Sequence, residues 1–311
     1  MIVCLGTTPA VQRVQRFRQL KLDGVNRAVF TSEGPAGKAV NVAKVLKLLG
    51  QEPVLVGFSG GDRGEQLLQM LLERKLRLQF LTVEARTRLC TTLLDEATGA
   101  VTELVEESLP VAPSRFDELL DQTTQLLPGC RAIIMAGTLA PGGAPDFYAR
   151  CTHKARTLDV LAVVDGQGEV LRAALAARPG LVKPNQTELG ATLGRKLASE
   201  AALLAGMREL QAAGAERVVI TAGTGPVLAL ESDHLWRIAP PRVHALNPIG
   251  SGDAFTAALV WRLLRGDDLG EACRWGAAAG AANALTLMPG ELDRVTLDQL
   301  AAQIRAERVR A

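Results

Sequence analysis

Residues 131–166, "RAIIMAGTLAPGGAPDFYARCTHKARTLDVLAVVDG", decide the fold. A short apolar run at 131–137 reads as a strand, 144–158 as a helix, and 160–166 as a second short apolar strand. Compact Val/Ile/Leu runs of this kind suit strands buried on both faces, which points to a parallel sheet. The same alternation extends outward in both directions. Upstream stand "IVCLG" (2–6), "KAVNVAKVLKLLG" (38–50), "PVLVGF" (53–58) and "GEQLLQMLLERK" (64–75). Downstream come "EVLRAALAAR" (169–178), "GLVKPN" (180–185) and "ERVVITAG" (216–223). Strand and helix patterns in such succession predict an α/β chain with helices covering a parallel sheet. Gly50 closes the first helix in the usual C-terminal position.

The bulk properties agree with that class. The chain has 311 residues, 48% hydrophobic and 4% aromatic, so its core is aliphatic. That length suits one large α/β domain. A formal net charge of +2 gives no electrostatic case for nucleic acid or an anionic membrane as partner. Five cysteines form no C-x-x-C pair, and they read as small hydrophobes in a reducing cytoplasm. The N-terminus reads as a first strand rather than a leader. No apolar run reaches the roughly 18–20 residues of a membrane span. The terminal "RAERVRA" (305–311) reads as a solvated helix end.

Two segments interrupt the alternation. Residues 11–31 hold two β-like runs around "LDG", and 87–106 read as a hairpin with its turn at "DEATG". Strands that leave a parallel body can form a small separate sheet. Such a sheet is either a lid over a site or an ordinary edge hairpin.

The glycine-containing loops carry the chemistry. "GPAGKAVN" (34–41) is not a P-loop, since no Gly stands at the required position and Ala39 replaces the Ser or Thr. No G-x-G-x-x-G follows a strand either, which removes a dinucleotide site. "NPIGSGDAF" (247–255) puts Asp253 at a helix mouth behind Gly250, Ser251 and Gly252. It is either a helix cap or a general base beside a cradle of backbone N–H groups. In "VKPNQTEL" (182–189), Asn185 and Glu188 share a helix face, either as a capping box or as holders of a hydrated Mg²⁺. Gly223 and Gly225 form a turn or a backbone approach to a nucleotide. Each of these three loops is expected to follow a core strand. A base, a Mg²⁺ holder and a cradle at one sheet edge then make a phosphoryl-transfer site.

The chain resembles the PfkB (ribokinase-like) carbohydrate kinases over essentially its whole length, nearest the branch that holds tagatose-6-phosphate kinase and 1-phosphofructokinase. "NPIGSGDAF", "KPNQTEL", "TAGTGP" (221–226), "AGTLAPGGAPDFY" (136–148), "TRLCTTLL" (87–94), "TELVEE" (102–107) and "RWGAAAGAANA" (274–284) carry the likeness. It implies a three-layer α/β/α domain over 1–311, with a β lid from segments near 8–33 and 86–109 that pairs two copies into a homodimer. It implies ATP and Mg²⁺. Asp253 matches the catalytic base, and Gly250, Ser251 and Gly252 the anion hole. Asn185 and Glu188 match the Mg²⁺ site through water, Lys183 the nucleotide phosphates, and Thr221, Gly223 and Gly225 the nucleotide border. Gln12, Arg27, Gly37, Lys38, Asn41 and Arg88 match acceptor positions.

The departures lie on the acceptor side. Thr8 and Gln12 replace the branch's Asn and Asp, Ala36 and Ala39 add methyl groups, and "DGQG" (165–168) replaces D-T-S-G. The expected activity is therefore transfer from ATP to a primary hydroxyl of a sugar phosphate. One alternative is an unphosphorylated sugar or polyol, which gains if Arg27, Lys38 and Arg88 do not converge. Another is a sugar-phosphate-binding regulatory protein without turnover.

Overall fold

A computed structural model of the protein describes residues 1–310. Its main sheet has ten strands: β1 (Ile2–Gly6), β4 (Pro53–Ser59), β5 (Arg77–Thr82), β8 (Ala132–Ala136), β9 (Leu161–Asp165), β10 (Leu181–Val182), β11 (Arg217–Ile220), β12 (Val227–Glu231), β13 (His234–Ile238) and β14 (Ala306–Arg310). The order is β14-β13-β12-β11-β10-β9-β8-β1-β4-β5. Pairing is parallel from β5 through β11 and antiparallel from β11 to β14. The chain runs from β1 to β4 on one side and reaches β8 on the other, so the strand order reverses beside β1. That is the place where such sheets leave a crevice at the carboxyl ends of their strands.

Alternating side chains of each strand feed two cores. Cys4, Leu55 and Ile134 face the side covered by α1 (Lys38–Leu48), α2 (Gly61–Glu73), α8 (Ser251–Leu263), α9 (Leu269–Ala284) and α10 (Arg294–Gln303). Val3, Val56 and Ile133 face α3 (Pro113–Leu126), α4 (Phe147–Arg156), α5 (Gly168–Ala176), α6 (Gln186–Leu193) and α7 (Glu200–Ala212). The result is the three-layer α/β/α architecture. Helix α8 is buried without a break from Asp253 to Trp261 because it lies between the sheet, α1 and α9. A helix in that position is apolar all round rather than amphipathic.

A second sheet, in the order β3-β2-β6-β7, joins β2 (Ala10–Phe17), β3 (Phe30–Ala36), β6 (Arg88–Asp95) and β7 (Val101–Val105). Both segments that interrupt the alternation thus meet in one sheet, with β2 and β6 parallel neighbours. Residues 25–29, read from sequence as strand, are instead loop, and β3 runs on through Gly34 to Ala36. The C-terminus also differs from expectation. "AERVR" is an edge strand, not a helix end, and Val309 pairs with Leu235. Its two apolar residues, Ala306 and Val309, are three apart and pack toward opposite cores, so the segment carries no two-residue period to read. All five cysteines are buried and unpaired. Among the described residues no helix is long and apolar enough to cross a membrane.

Candidate active site

A cleft of about 430 Å³ opens between the carboxyl ends of the parallel strands and the second sheet. Three helices aim their N-termini at it: α1 from Gly37, α6 from Asn185 and α8 from Gly250. Their partial positive charges favour an anion there.

The α8 terminus is built by glycine. Gly250 is the N-cap at φ +83°, and a Cβ on it would lie 2.7 Å from Pro289 Cβ, so only glycine fits without displacement. Asp253 makes no capping hydrogen bond, which removes the helix-cap reading. Its carboxylate instead accepts from Asn41 Nδ2 at 2.8 Å, reaching from α1 across the cleft floor. Burial pushes its pKa up to about 7, aided by the negative charge of Asp165 and opposed by Lys38, Asn41 and Lys183. The N–H groups of Ser251 and Asp253 are spent on Pro248 O and Gly250 O. Among the described residues, those of Gly250 and Gly252 have no acceptor and remain for a ligand. A Cβ on Gly252 would stand 4.0 Å from Lys183 Nζ, so an ammonium flanks this cradle.

Contrary to expectation, no strand leads directly into α8. The chain reaches it from antiparallel β13 through residues 239–250. Lys183 and Thr221 do follow parallel strands.

The charge centre of the cleft is a residue that motif reading passed over. Asp165, fully buried at the end of β9, accepts from Lys38 Nζ at 3.0 Å and Thr256 Oγ1 at 2.9 Å. It also pairs with Lys183 at 3.0 Å. Although burial works the other way, Lys183 and Lys38 hold its carboxyl below the usual range. Lys38 also donates to Glu188 Oε1 at 2.7 Å. Burial alone would weaken the Lys38 ammonium, but Asp165, Glu188 and Asp253 more than reverse that. Sequence offered one signal for Asp165: an acid closing an apolar parallel strand, within the "DGQG" departure.

Asn185 and Glu188 form a complete capping box: Asn185 accepts from Glu188 N and Glu188 from Asn185 N, each at 2.8 Å. Both line the cleft nonetheless. What they leave for an ion is spare lone pairs, a donor set that fits the waters of a hydrated Mg²⁺ rather than the bare ion. Among the described residues no three His, Cys, Asp or Glu form a metal cluster.

On the acceptor side, Gln12, Gly37, Lys38, Asn41 and Arg88 all line the cleft. Gln12 Nε2 donates to Thr92 Oγ1 at 2.8 Å across the second sheet. Asn41 Oδ1 is buried and has no partner among the described residues. Arg88 Nη2 donates to Thr8 O at 3.1 Å. Arg27 is exposed on the loop between β2 and β3 and lines no part of the cleft. The three cations therefore do not converge, because Arg27 faces solvent and Lys38 is held by two carboxylates. Ala39 likewise misses the cleft: its methyl packs where a Cβ on Gly6 would be 2.7 Å away, in the core. Ala36 does line the cleft, as do Glu103, Cys90 and Val105, which were not foreseen. Burial raises the Glu103 pKa, against the pull of Arg88. Ser251 is not among the lining residues. Gly223 and Gly225 form a turn closed by Gly225 N–H to Ala222 O at 2.9 Å, directly after Thr221, which does line the cleft.

Residues 1–290 match the model of a family described as pfkB family carbohydrate kinase. Among curated proteins, tagatose-6-phosphate kinase of Staphylococcus epidermidis is 26% identical over 313 residues, covering 98% of each chain. Phosphofructokinase-2 from Escherichia coli, solved in complex with fructose-6-phosphate, superposes with a TM-score of 0.87 at 27% identity, over 97% of this chain and 98% of that one. A Thermotoga maritima protein described as a possible 1-phosphofructokinase gives a TM-score of 0.91 at 21% identity over 99% of both chains, a likeness of fold.

Proposed function

We propose, for a chain that belongs to the pfkB family of carbohydrate kinases, transfer of the ATP γ-phosphoryl group to a primary hydroxyl of a ketohexose phosphate, of the tagatose 6-phosphate or fructose 1-phosphate type. The observation that carries the reading is the α8 terminus. Two N–H groups without acceptors, the Lys183 ammonium and a carboxylate poised near neutral pH meet there in one cleft. In the forward step Asp253 removes the proton of the acceptor hydroxyl as its oxygen attacks the γ-phosphorus, and ADP leaves. The Gly250 and Gly252 N–H groups stabilise the transferring oxygens. Lys183 balances charge toward the nucleotide, which enters along Thr221 and the Gly223–Gly225 turn. Asn185 and Glu188 would hold Mg²⁺ through its waters, and the ion supplies neutralisation of phosphate charge. Asn41, which holds Asp253 through Nδ2, and Gln12 border the acceptor end of the cleft, where Gln12 offers a polar contact to a sugar hydroxyl.

The second sheet acts as a lid over this cleft, within a single kinase domain, and the enzyme works in the cytoplasm. We read the lid as a homodimer surface, because Leu104, 54% exposed, alternates away from the cleft-lining Glu103 and Val105, and Leu22 and Val25 are nearly bare. Sedimentation checks this: a dimer at micromolar concentration that Leu104→Glu converts to monomer supports it, and a native monomer sinks it.

A second reading, an unphosphorylated sugar or polyol as acceptor, is favoured by one observation: of the three candidate cations only Arg88 remains for a second phosphate. Arg88→Ala separates the two. Loss of a charge-assisted bond should raise KM for a phosphorylated ketose about 10–100-fold and leave that for a free sugar nearly unchanged. Equal effects on both, or none, would remove Arg88 from phosphate recognition.

A further inference from the structure

Lys44 on α1 is a buried cation that the transfer step does not use. Its side chain is 3% exposed, yet its nearest carboxylate, Glu291, stands 4.0 Å off and is shared with Arg74. Nζ donates instead to two backbone carbonyls, Pro289 O at 2.6 Å and Pro35 O at 3.2 Å. Burying an ammonium on neutral partners is costly, and a Met or Leu would fill the same space. The position of the two carbonyls accounts for the residue.

Pro35 lies in β3, two residues before Gly37 at the start of α1. Pro289 lies in the turn that follows α9, and that turn is a wedge. On one side, Pro289 Cβ sits 2.7 Å from where a Cβ of Gly250 would be. On the other, Gly290, at φ +69°, lies so close to α1 that a Cβ on it would be 2.7 Å from Asn41 Cα. Asn283 ties the same turn to the anion-hole loop, accepting from Gly290 N at 2.8 Å and donating to Ile249 O at 2.9 Å. The 286–291 turn thus touches both the anion-hole glycine and the residue that holds Asp253. One turn of α1 after Asn41, Lys44 clamps it from beneath.

We propose that Lys44 is a positioning residue: its ammonium fixes the Pro289 carbonyl, and through that turn sets Gly250 and the Asn41–Asp253 contact for transfer. This rests on the role given above to Gly250 and Asp253. The charged groups around the ammonium are Glu291 on the turn, Arg74 at the end of α2 and Asp253 on α8. Burial lowers the Lys44 pKa to about 8, Arg74 adds to that, and Glu291 and Asp253 oppose it. Its clamp therefore weakens above about pH 8.

The test compares native enzyme with Lys44→Met and Lys44→Arg, using steady-state kinetics and amide hydrogen exchange. Lys44→Met should lower kcat about 10–100-fold with both KM values within about threefold, since the clamp orients and does not bind. Amides of 286–291 should exchange at least about tenfold faster. Lys44→Arg should return kcat to within about fivefold of native and move the alkaline fall in kcat to higher pH. If Lys44→Met does not fold, Lys44→Gln is read in the same way. A Met or Gln variant with kcat within twofold of native, or one that loses kcat with unchanged exchange at 286–291, overturns the proposal. Native enzyme inactive on every acceptor would instead defeat the catalytic reading, while exchange would still report whether Lys44 holds the turn.

Discussion

Asp253→Asn is expected to lower kcat about 10²–10⁴-fold and, at pH 8, to make the protein more stable. The first effect follows from the role of base proposed for Asp253; the second follows from its environment. Burial and the charge of Asp165 raise the Asp253 pKa to about 7, well above the unfolded value near 4. A group raised in this way contributes stability below its unfolded pKa and loses it as pH climbs through the folded one. At pH 8 the native enzyme therefore carries a strained carboxylate that the neutral amide removes. The expected gain is on the order of 1–2 kcal/mol, or about 2–8 °C in Tm. The gap should shrink as pH falls from 7 toward 4. The same pKa sets the acid limb of the rate: native kcat/KM should rise through about pH 7, before the alkaline fall that the Lys44 clamp sets above about pH 8. Calorimetry of both proteins at pH 8 and pH 5, beside a pH–rate profile, checks these results. A destabilised Asn variant at pH 8 would mean that Lys38 and Asn41 stabilise the carboxylate by more than burial costs it.

Asp165→Asn should be nearly as damaging for a different reason. The carboxylate is the shared anion of Lys38 and Lys183 and accepts from Thr256. Neutralising it leaves two cations with one fewer counter-charge in a buried site, at a cost of about 3–5 kcal/mol, or about 6–20 °C in Tm. Turnover should fall at least about 10²-fold, because Lys183 is no longer held beside Gly252. Asp165 also raises the Asp253 pKa, so the residual activity should have its acid limb below pH 7. Thermal unfolding with a pH–rate profile tests both. A purely structural role would lower Tm and leave the limb in place. The pair's own pH dependence has the opposite sign to that of Asp253. A carboxyl held low stabilises fully above its unfolded pKa, and that stability is lost as pH falls.

The parallel sheet was legible because its strands are buried on both faces and read as unbroken apolar runs such as 132–136 and 161–165. β14 was not, because an edge strand dense in Arg and Glu carries its two apolar residues, Ala306 and Val309, three apart on opposite faces, with no alternation to show. Motif spacing located Lys183, Asn185, Glu188 and Asp253 in one cleft. It could not reveal Asp165, whose partners come from α1, the end of β10 and α8 and are assembled only by the fold. Nor could spacing tell inward from outward. Ala39 sits within the acceptor motif yet points its methyl under Gly6, and Arg27 sits at a matching position yet faces solvent.

Phosphoryl transfer onto a phosphorylated ketose at Asp253 is the reaction proposed for this protein. It is tested most directly by phosphorus NMR of MgATP with tagatose 6-phosphate, fructose 1-phosphate, fructose 6-phosphate and the free sugars. We expect one ketose phosphate to become a bisphosphate with one ADP formed per product, and Asp253→Asn to suppress that signal. A bound but untransferred nucleotide across all acceptors, or full turnover by Asp253→Asn, would contradict it.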